Sequence, residues 1–203
     1  MPSKRPYVSP LREQGASRTR ELILREATRL FAARGYGRVT VADIAAAAGV
    51  ASKTVFASVG SKGDILNHIV DQGVAASGYE NAMDGLLALR TRESVLQALA
   101  HGTRIGNESQ FSVHEAIRKA LPVHEDGEAL WERATATYRA ALREAALHLH
   151  TLDPRPPFSV ERTGDLLWQW FGPTSWRVLV AESGWSWDDA EETLYRTAVS
   201  ALG

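Results

Sequence analysis

Between Thr40 and Ser61 the chain reads TVADIAAAAGVASKTVFASVGS. Two stretches of helical periodicity flank Gly49, and neither is long enough to stand alone, because isolated helices shorter than ~12–15 residues are marginal in water. Each must therefore pack on the other and be braced by a third element. Ile44, Ala47, Val50, Val55 and Val59 provide apolar contacts at spacings that let two helices cross steeply. Ala48 and Gly49 are small where the chain must reverse. Two short helices joined by a glycine-containing turn form a helix-turn-helix.

The flanking sequence supplies the brace. Ser17 is placed to cap a helix whose apolar face runs Ile23, Ala27, Leu30, Phe31. ARGYG, residues 33–37, ends it, with Gly35 suited to a positive φ after a helix. Thr40 and Asp43 form a capping-box pattern, and Ser61 and Asp64 form a second. The second opens a longer helix through about residue 77, with Ile65, Leu66, Ile69 and Val70 inward. Further helices are expected over 93–106, 109–120, 125–150, 159–182 and 187–202, punctuated by Pro122, the 153–157 proline cluster and Gly184. Gly172-Pro173 should kink or split the segment that contains it. No alternating strand pattern and no internal repeat occurs. The expected fold is all-α. A basic disordered arm is expected over 1–16, a helix-turn-helix domain over 17–60 and a helical domain over 61–203.

Charge divides the chain in the same place. Residues 1–70 carry 11 Lys and Arg against 5 Asp and Glu, whereas the whole chain has a net charge of −1. A basic front half points to a polyanion as its partner, although an uneven solvated surface gives the same count. The apolar share of 44% and charged share of 23% are ordinary for a globular protein. No apolar run reaches the roughly 20 residues of a membrane helix, and MPSKRPYVSPLREQG lacks a signal-peptide core. Cysteine is absent, which excludes disulfides and thiolate metal ligands and fits a reducing compartment. A cytoplasmic protein without membrane contact is expected.

The outward positions of the second short helix explain its composition. Ser52, Lys53, Thr54, Ala57 and Ser58 are short donors and methyl groups of the kind a major groove about 12 Å wide accepts, where leucines would clash or stay wet. Lys53 can donate to guanine O6 and N7 or pair with a phosphate. Thr54 and Ala57 can offer methyls to thymine or simply permit close approach. Phe56 divides between the core and the sugar-phosphate wall. The helix beginning at Thr40, with Ala42 in its first turn, presents its N-terminus to a phosphate. Arg18 and Arg20, near the start of the first helix, are oriented toward phosphates.

Residues 17–66 resemble the TetR family of transcriptional regulators. The resemblance rests on Phe31, Gly35, Thr40, Ile44-Ala45, Ala48-Gly49-Val50, Thr54-Val55-Phe56, Val59 and Ser61-Lys62 at the family's spacing. WQWFGPTSWRVLVAESGWSW, residues 168–187, is similar to the penultimate-helix region of some members. Three departures affect operator detail. Phe56 replaces the usual Tyr, Ala51 replaces a Ser so that Ser52 is expected to take over the cap, and Ser58 and Gly60 stand where Tyr or His and Pro are common. The resemblance implies that Lys62 contacts a DNA phosphate. It also implies a homodimer through a four-helix bundle of the last two helical segments, and a small-molecule effector that releases a repressor from a palindromic operator.

All six tryptophans lie in the back half. Trp131 with Tyr138, and Trp168 with Phe171, could line an apolar effector pocket, with His101 and Arg104 supplying polar specificity. Plain core and dimer-interface packing is the commoner use of any single one of these side chains. The competing function is an all-α enzyme or ligand carrier with an incidental helix-turn-helix. Against it, His148 and His150 are two apart and fall on different sides of a helix, and His114 and His124 lack partners at ligand spacing. No phosphate loop, nucleophile elbow or HExxH is present. No catalytic residue, metal ligand or cofactor is expected.

Overall fold

The computed structural model describes residues 10–76, 78–153 and 155–202. Among them the chain is helical, with no strand. The helices are α1 (Pro10–Arg34), α2 (Val41–Ala47), α3 (Ser52–Val59), α4 (Lys62–Ala75), α5 (Tyr79–Leu87), α6 (Arg92–Ala120), α7 (Gly127–Thr151), α8 (Val160–Phe171), α9 (Pro173–Trp176) and α10 (Trp187–Leu202). A 3₁₀ turn, Tyr36–Arg38, precedes α2, and a wide π turn, Arg177–Glu182, follows α9.

Two compact units form. The first contains the described residues through Gln72 together with Glu115–Leu130; the second contains Gly73–His114 and the chain from Trp131 onward. In the first unit Ile23, Phe31, Val39, Ile44, Val55 and Ile65 are fully buried, so α1, α2, α3 and α4 share one apolar centre. Residues of α6 and of the α6–α7 corner complete it. Ile117 and Ala120 are buried, Lys119 donates to the Ala32 carbonyl near the end of α1, and His124 meets the Tyr36 ring edge-on at 5.2 Å.

The second unit buries Leu96, Tyr138, Leu142, Leu167, Phe171 and Trp176 among α5 to α10. Gly172 sits against the Trp168 carbonyl, with the Trp168 ring 3.1 Å from where a Cβ would stand, and Pro173 follows at the first position of α9. Gly172-Pro173 thus splits the long segment as its sequence implies.

Three expectations are corrected. The first helix begins at Pro10, where proline is tolerated at the first helical position, so residues 10–16 of the expected arm are helical, and residues 1–9 lie outside the described residues. Ser17 therefore lies inside α1 and donates to Glu21 Oε1 at 2.8 Å instead of capping. The expected break near residue 107 is absent, and α6 runs unbroken for 29 residues. Asn107 lies within it, and its amide donates to the Thr103 carbonyl at 2.7 Å and the Tyr138 hydroxyl at 3.0 Å.

Candidate nucleic-acid interface

Helices α2 and α3 meet at 100°, the angular range of a helix-turn-helix. Gly49, φ 66°, makes the reversal, and its N–H donates to Ala46 O at 3.2 Å. The capping box at α2 is complete: Thr40 Oγ1 accepts from Asp43 N at 3.1 Å, and Thr40 N donates to Asp43 Oδ2 at 2.8 Å. These bonds from the Thr40 amide and hydroxyl hold the Asp43 carboxyl below its ordinary range, with Arg34 Nη1 3.6 Å away adding to the effect. The same motif recurs at α4, where Ser61 N and Oγ donate to Asp64 Oδ2 at 2.8 and 2.7 Å and lower the Asp64 pKa, the hydroxyl contributing most.

Helix α3 has one buried edge and one open face. Val55 and Val59 are buried, while Ser52, Lys53, Phe56 and Ala57 are exposed and Thr54 and Ser58 are half-buried. Phe56 is 55% exposed, more than a division between core and groove wall requires. Lys53 makes no ion pair among the described residues, so its charge is available to a ligand. Ala42 is exposed in the first turn of α2. Ser52 does not cap α3. Ala51 occupies the cap position with extended backbone, no side chain caps the first amides, and Ser52 is already the first helical residue.

Two expected phosphate ligands are engaged elsewhere. Lys62 Nζ donates to the carbonyls of Tyr36 and Val39, both at 3.1 Å, and lies 4.2 Å from the centre of the Tyr36 ring. Tyr36 is itself buried between Phe31 and His124, and burial raises its hydroxyl pKa. Arg20 donates to the Ser58 carbonyl at 2.7 Å and reaches the ring of His68. Spacing alone does not reveal either arrangement, because the partners lie 23 to 48 residues apart. Arg18, Arg25 and Arg29 remain exposed along α1, although Arg29 pairs with Glu26 at 2.9 Å.

In the second unit the six candidate ligand residues fall into three groups. Tyr138, Trp168 and Phe171 come together: the Tyr138 hydroxyl donates to the Phe171 carbonyl, and its ring meets Trp168 edge-on at 5.6 Å. The Arg139 guanidinium lies 4.2 Å from the centre of the Trp168 ring. Tyr138 and Phe171 are buried with their polar atoms satisfied, which is core packing. Trp131 lies apart, against His114 at 6.0 Å. His101 and Arg104 tie α6 to α10, through Glu191 Oε1 at 3.2 Å and Asp188 Oδ1 at 2.8 Å. A separate open cleft of about 280 Å³ runs between α5 and α7, lined by Met83, Asp84, Leu87, Thr137, Ala141 and Glu144.

Residues 23–69 match the family model described as bacterial regulatory proteins, tetR family. Residues 23–69 are a TetR-family DNA-binding domain. The first unit thus carries that domain, and solved structures extend the likeness of fold over nearly the whole chain. A transcriptional regulator from Saccharomonospora viridis in complex with choline is 20% identical, with a TM-score of 0.73 over 92% of this chain and 98% of that one. The regulator FadR from Bacillus subtilis in complex with stearoyl-CoA is 15% identical, with a TM-score of 0.69 over 90% and 99%. The TetR-family regulator PfmR from Thermus thermophilus is 21% identical, with a TM-score of 0.64 over 90% and 95%. No curated protein sequence matches the chain. No single helix among the described residues is long and apolar enough to cross a membrane.

Proposed function

We propose that this regulator is a cytoplasmic homodimeric repressor that holds a near-palindromic operator through α2 and α3 and releases it when a small molecule occupies the second unit. The observation that carries the DNA-binding surface is the division of α3, with Val55 and Val59 inward and Ser52, Lys53, Phe56 and Ala57 outward. A groove-reading helix needs slim or polar, uncommitted side chains on its free face; Ser52, Lys53 and Ala57 meet that need, and the exposed Phe56 ring is left to the sugar-phosphate wall. Thr40 and Ala42 bring the start of α2 to the flanking phosphate, while Lys53, Thr54 and Ala57 face the bases.

Homodimerisation is supported by apolar side chains left partly open near α8 and α10, among them Trp170, Val178 and Trp185. Two heads then meet successive major-groove faces about 34–36 Å apart. Release by an effector requires that it bind more tightly to the arrangement whose heads are wrongly spaced, since equal affinity shifts nothing. The choline and stearoyl-CoA bound by the two structural neighbours make a small-molecule effector the natural class. The α5–α7 cleft, close to the lower end of small-molecule site volumes, is a space in the second unit that could take it.

The test is selection of genomic DNA fragments by the full-length chain. An enriched near-palindrome with two half-sites about one helical turn apart is expected. A retained pool indistinguishable from the input overturns the reading.

A further inference from the structure

Arg20 spends its guanidinium inside the DNA-binding unit. Nη1 donates to the Ser58 carbonyl at 2.7 Å. Nη2 lies 2.9 Å from His68 Nε2 and 3.1 Å from Nδ1. Ser58 is the second-last residue of α3, so its carbonyl is one of those a helix leaves without an intrahelical partner. Since no side chain caps the other end of α3, Arg20 is the side chain that fixes the helix by a hydrogen bond at its terminus. One guanidinium thus joins α1, the end of α3 and the middle of α4.

The two contacts of Arg20 differ in what they tolerate. A carbonyl accepts from arginine at any pH. An imidazole accepts from a guanidinium, or presents its ring face to it, only while neutral; protonated, it carries two N–H donors and a positive charge. Arginine does not lose its proton to relieve the conflict. Charged groups that bear on His68 include Arg20 from α1 and, one turn earlier on α4, the Asp64 carboxylate; Asp71 follows one turn later on the same helix. Asp64 is already occupied by the amide and hydroxyl of Ser61.

We propose that Arg20 is a positioning residue for base recognition. It sets α3 through the Ser58 carbonyl, and the neutral ring of His68 holds it there, so protonation of His68 loosens α3 and lowers sequence discrimination. This rests on the reading of α3 as the base-contacting helix and adds to it a residue that touches no DNA. The direction is distinctive. Added positive charge on a protein ordinarily strengthens its hold on any DNA as pH falls. Here the operator loses its advantage over unrelated DNA.

The experiment measures binding of the full chain to its selected operator and to a scrambled duplex at about pH 8 and about pH 6, a range in which histidine is the side-chain type able to change charge. For the wild type, the operator-to-scrambled affinity ratio should fall at the lower pH, by up to roughly tenfold where the charged hydrogen bond is lost completely. His68→Gln, whose amide oxygen accepts without titrating, should keep its ratio at both. Arg20→Met should show a low ratio at both, and Arg20→Lys an intermediate one if the methionine variant is too unstable to assay. A wild-type ratio that does not change with pH, or a His68→Gln ratio that falls as the wild type's does, overturns the proposal. So does an Arg20→Met variant that melts earlier yet discriminates normally. A wild type that fails to discriminate at about pH 8 overturns the base-recognition reading itself.

Discussion

The ammonium of Lys62 lies 4.2 Å from the centre of the Tyr36 ring and 3.1 Å from the carbonyls of both Tyr36 and Val39. One side chain at the start of α4 thus closes the 3₁₀ turn that delivers the chain to α2. Lys62→Ala removes two charge-assisted hydrogen bonds and a cation–π contact, at a cost of about 1–2 kcal/mol for a partly exposed group. Chemical denaturation should register that loss. The logarithmic salt dependence of DNA binding should change little, because an ammonium held by carbonyls releases few counterions. An unchanged stability with a slope flatter by about one per subunit would return Lys62 to the phosphate contact its sequence context implies.

Lys53 has no such commitment. It is exposed on the free face of α3 and makes no ion pair among the described residues. Lys53→Ala should leave folding intact and relax specificity at one position in each half-site, at about 1–3 kcal/mol for a lost base contact. Selection from a randomised operator reads this directly. The same consensus from variant and wild type would assign Lys53 to the backbone.

The two capping carboxylates make the head sensitive to acid. Asp43 and Asp64 are both held below the ordinary carboxylate range, chiefly by the amide and hydroxyl of Thr40 and by the hydroxyl and amide of Ser61. A depressed native pKa contributes stability that is complete above the unfolded value and lost as pH falls through the native one. Melting temperatures taken from about pH 7 to about pH 3 should therefore drop more for the wild type than for the Asp43→Asn, Asp64→Asn double variant. Parallel profiles would place the acid sensitivity in other groups.

Val178 is 39% exposed on the π turn after α9, and Trp185 is 40% exposed just beyond it. If these side chains meet a second copy, Val178→Glu buries a charge against apolar surface. Light scattering should show the dimer replaced by monomer, with operator affinity lost at least roughly tenfold, because a single head keeps only one half-site. A variant that remains dimeric would move the interface elsewhere.

What can be read from the sequence depends on how local each interaction is. The Thr40–Asp43 and Ser61–Asp64 boxes span three residues, and both form as their spacing implies. Gly172-Pro173 breaks its helix because proline removes a donor wherever it falls. Within the unbroken α6 the Asn107 amide meets the Tyr138 hydroxyl, 31 residues away, and no local pattern predicts that contact. Arg20 and Lys62 resemble phosphate ligands because charge and position are visible in a sequence while carbonyl partners are not. The tryptophan-rich back half suggests a pocket, yet Tyr138 and Phe171 satisfy each other in the core.

Gly60 links α3 to α4, and its substitution separates strain from contact. Its backbone, φ 88° and ψ −148°, lies where residues with a side chain rarely go. Its N–H closes α3 on Phe56 O at 3.1 Å. An added Cβ would stand 2.5 Å from Asp64 Oδ2, the oxygen that accepts both Ser61 donors. Gly60→Ala therefore combines backbone strain of about 1–3 kcal/mol with a displaced cap on α4. Gly49→Ala is the control: its φ is also positive, 66°, but nothing lies within 4 Å of the new methyl, so only strain remains. Urea denaturation should find Gly60→Ala the more destabilised. The excess should shrink when Asp64→Ala is added, as coupling between contacting residues requires. Equal losses at Gly49 and Gly60, with no coupling to Asp64, would mean that the carboxylate yields freely and that the α4 cap does not fix how α3 ends.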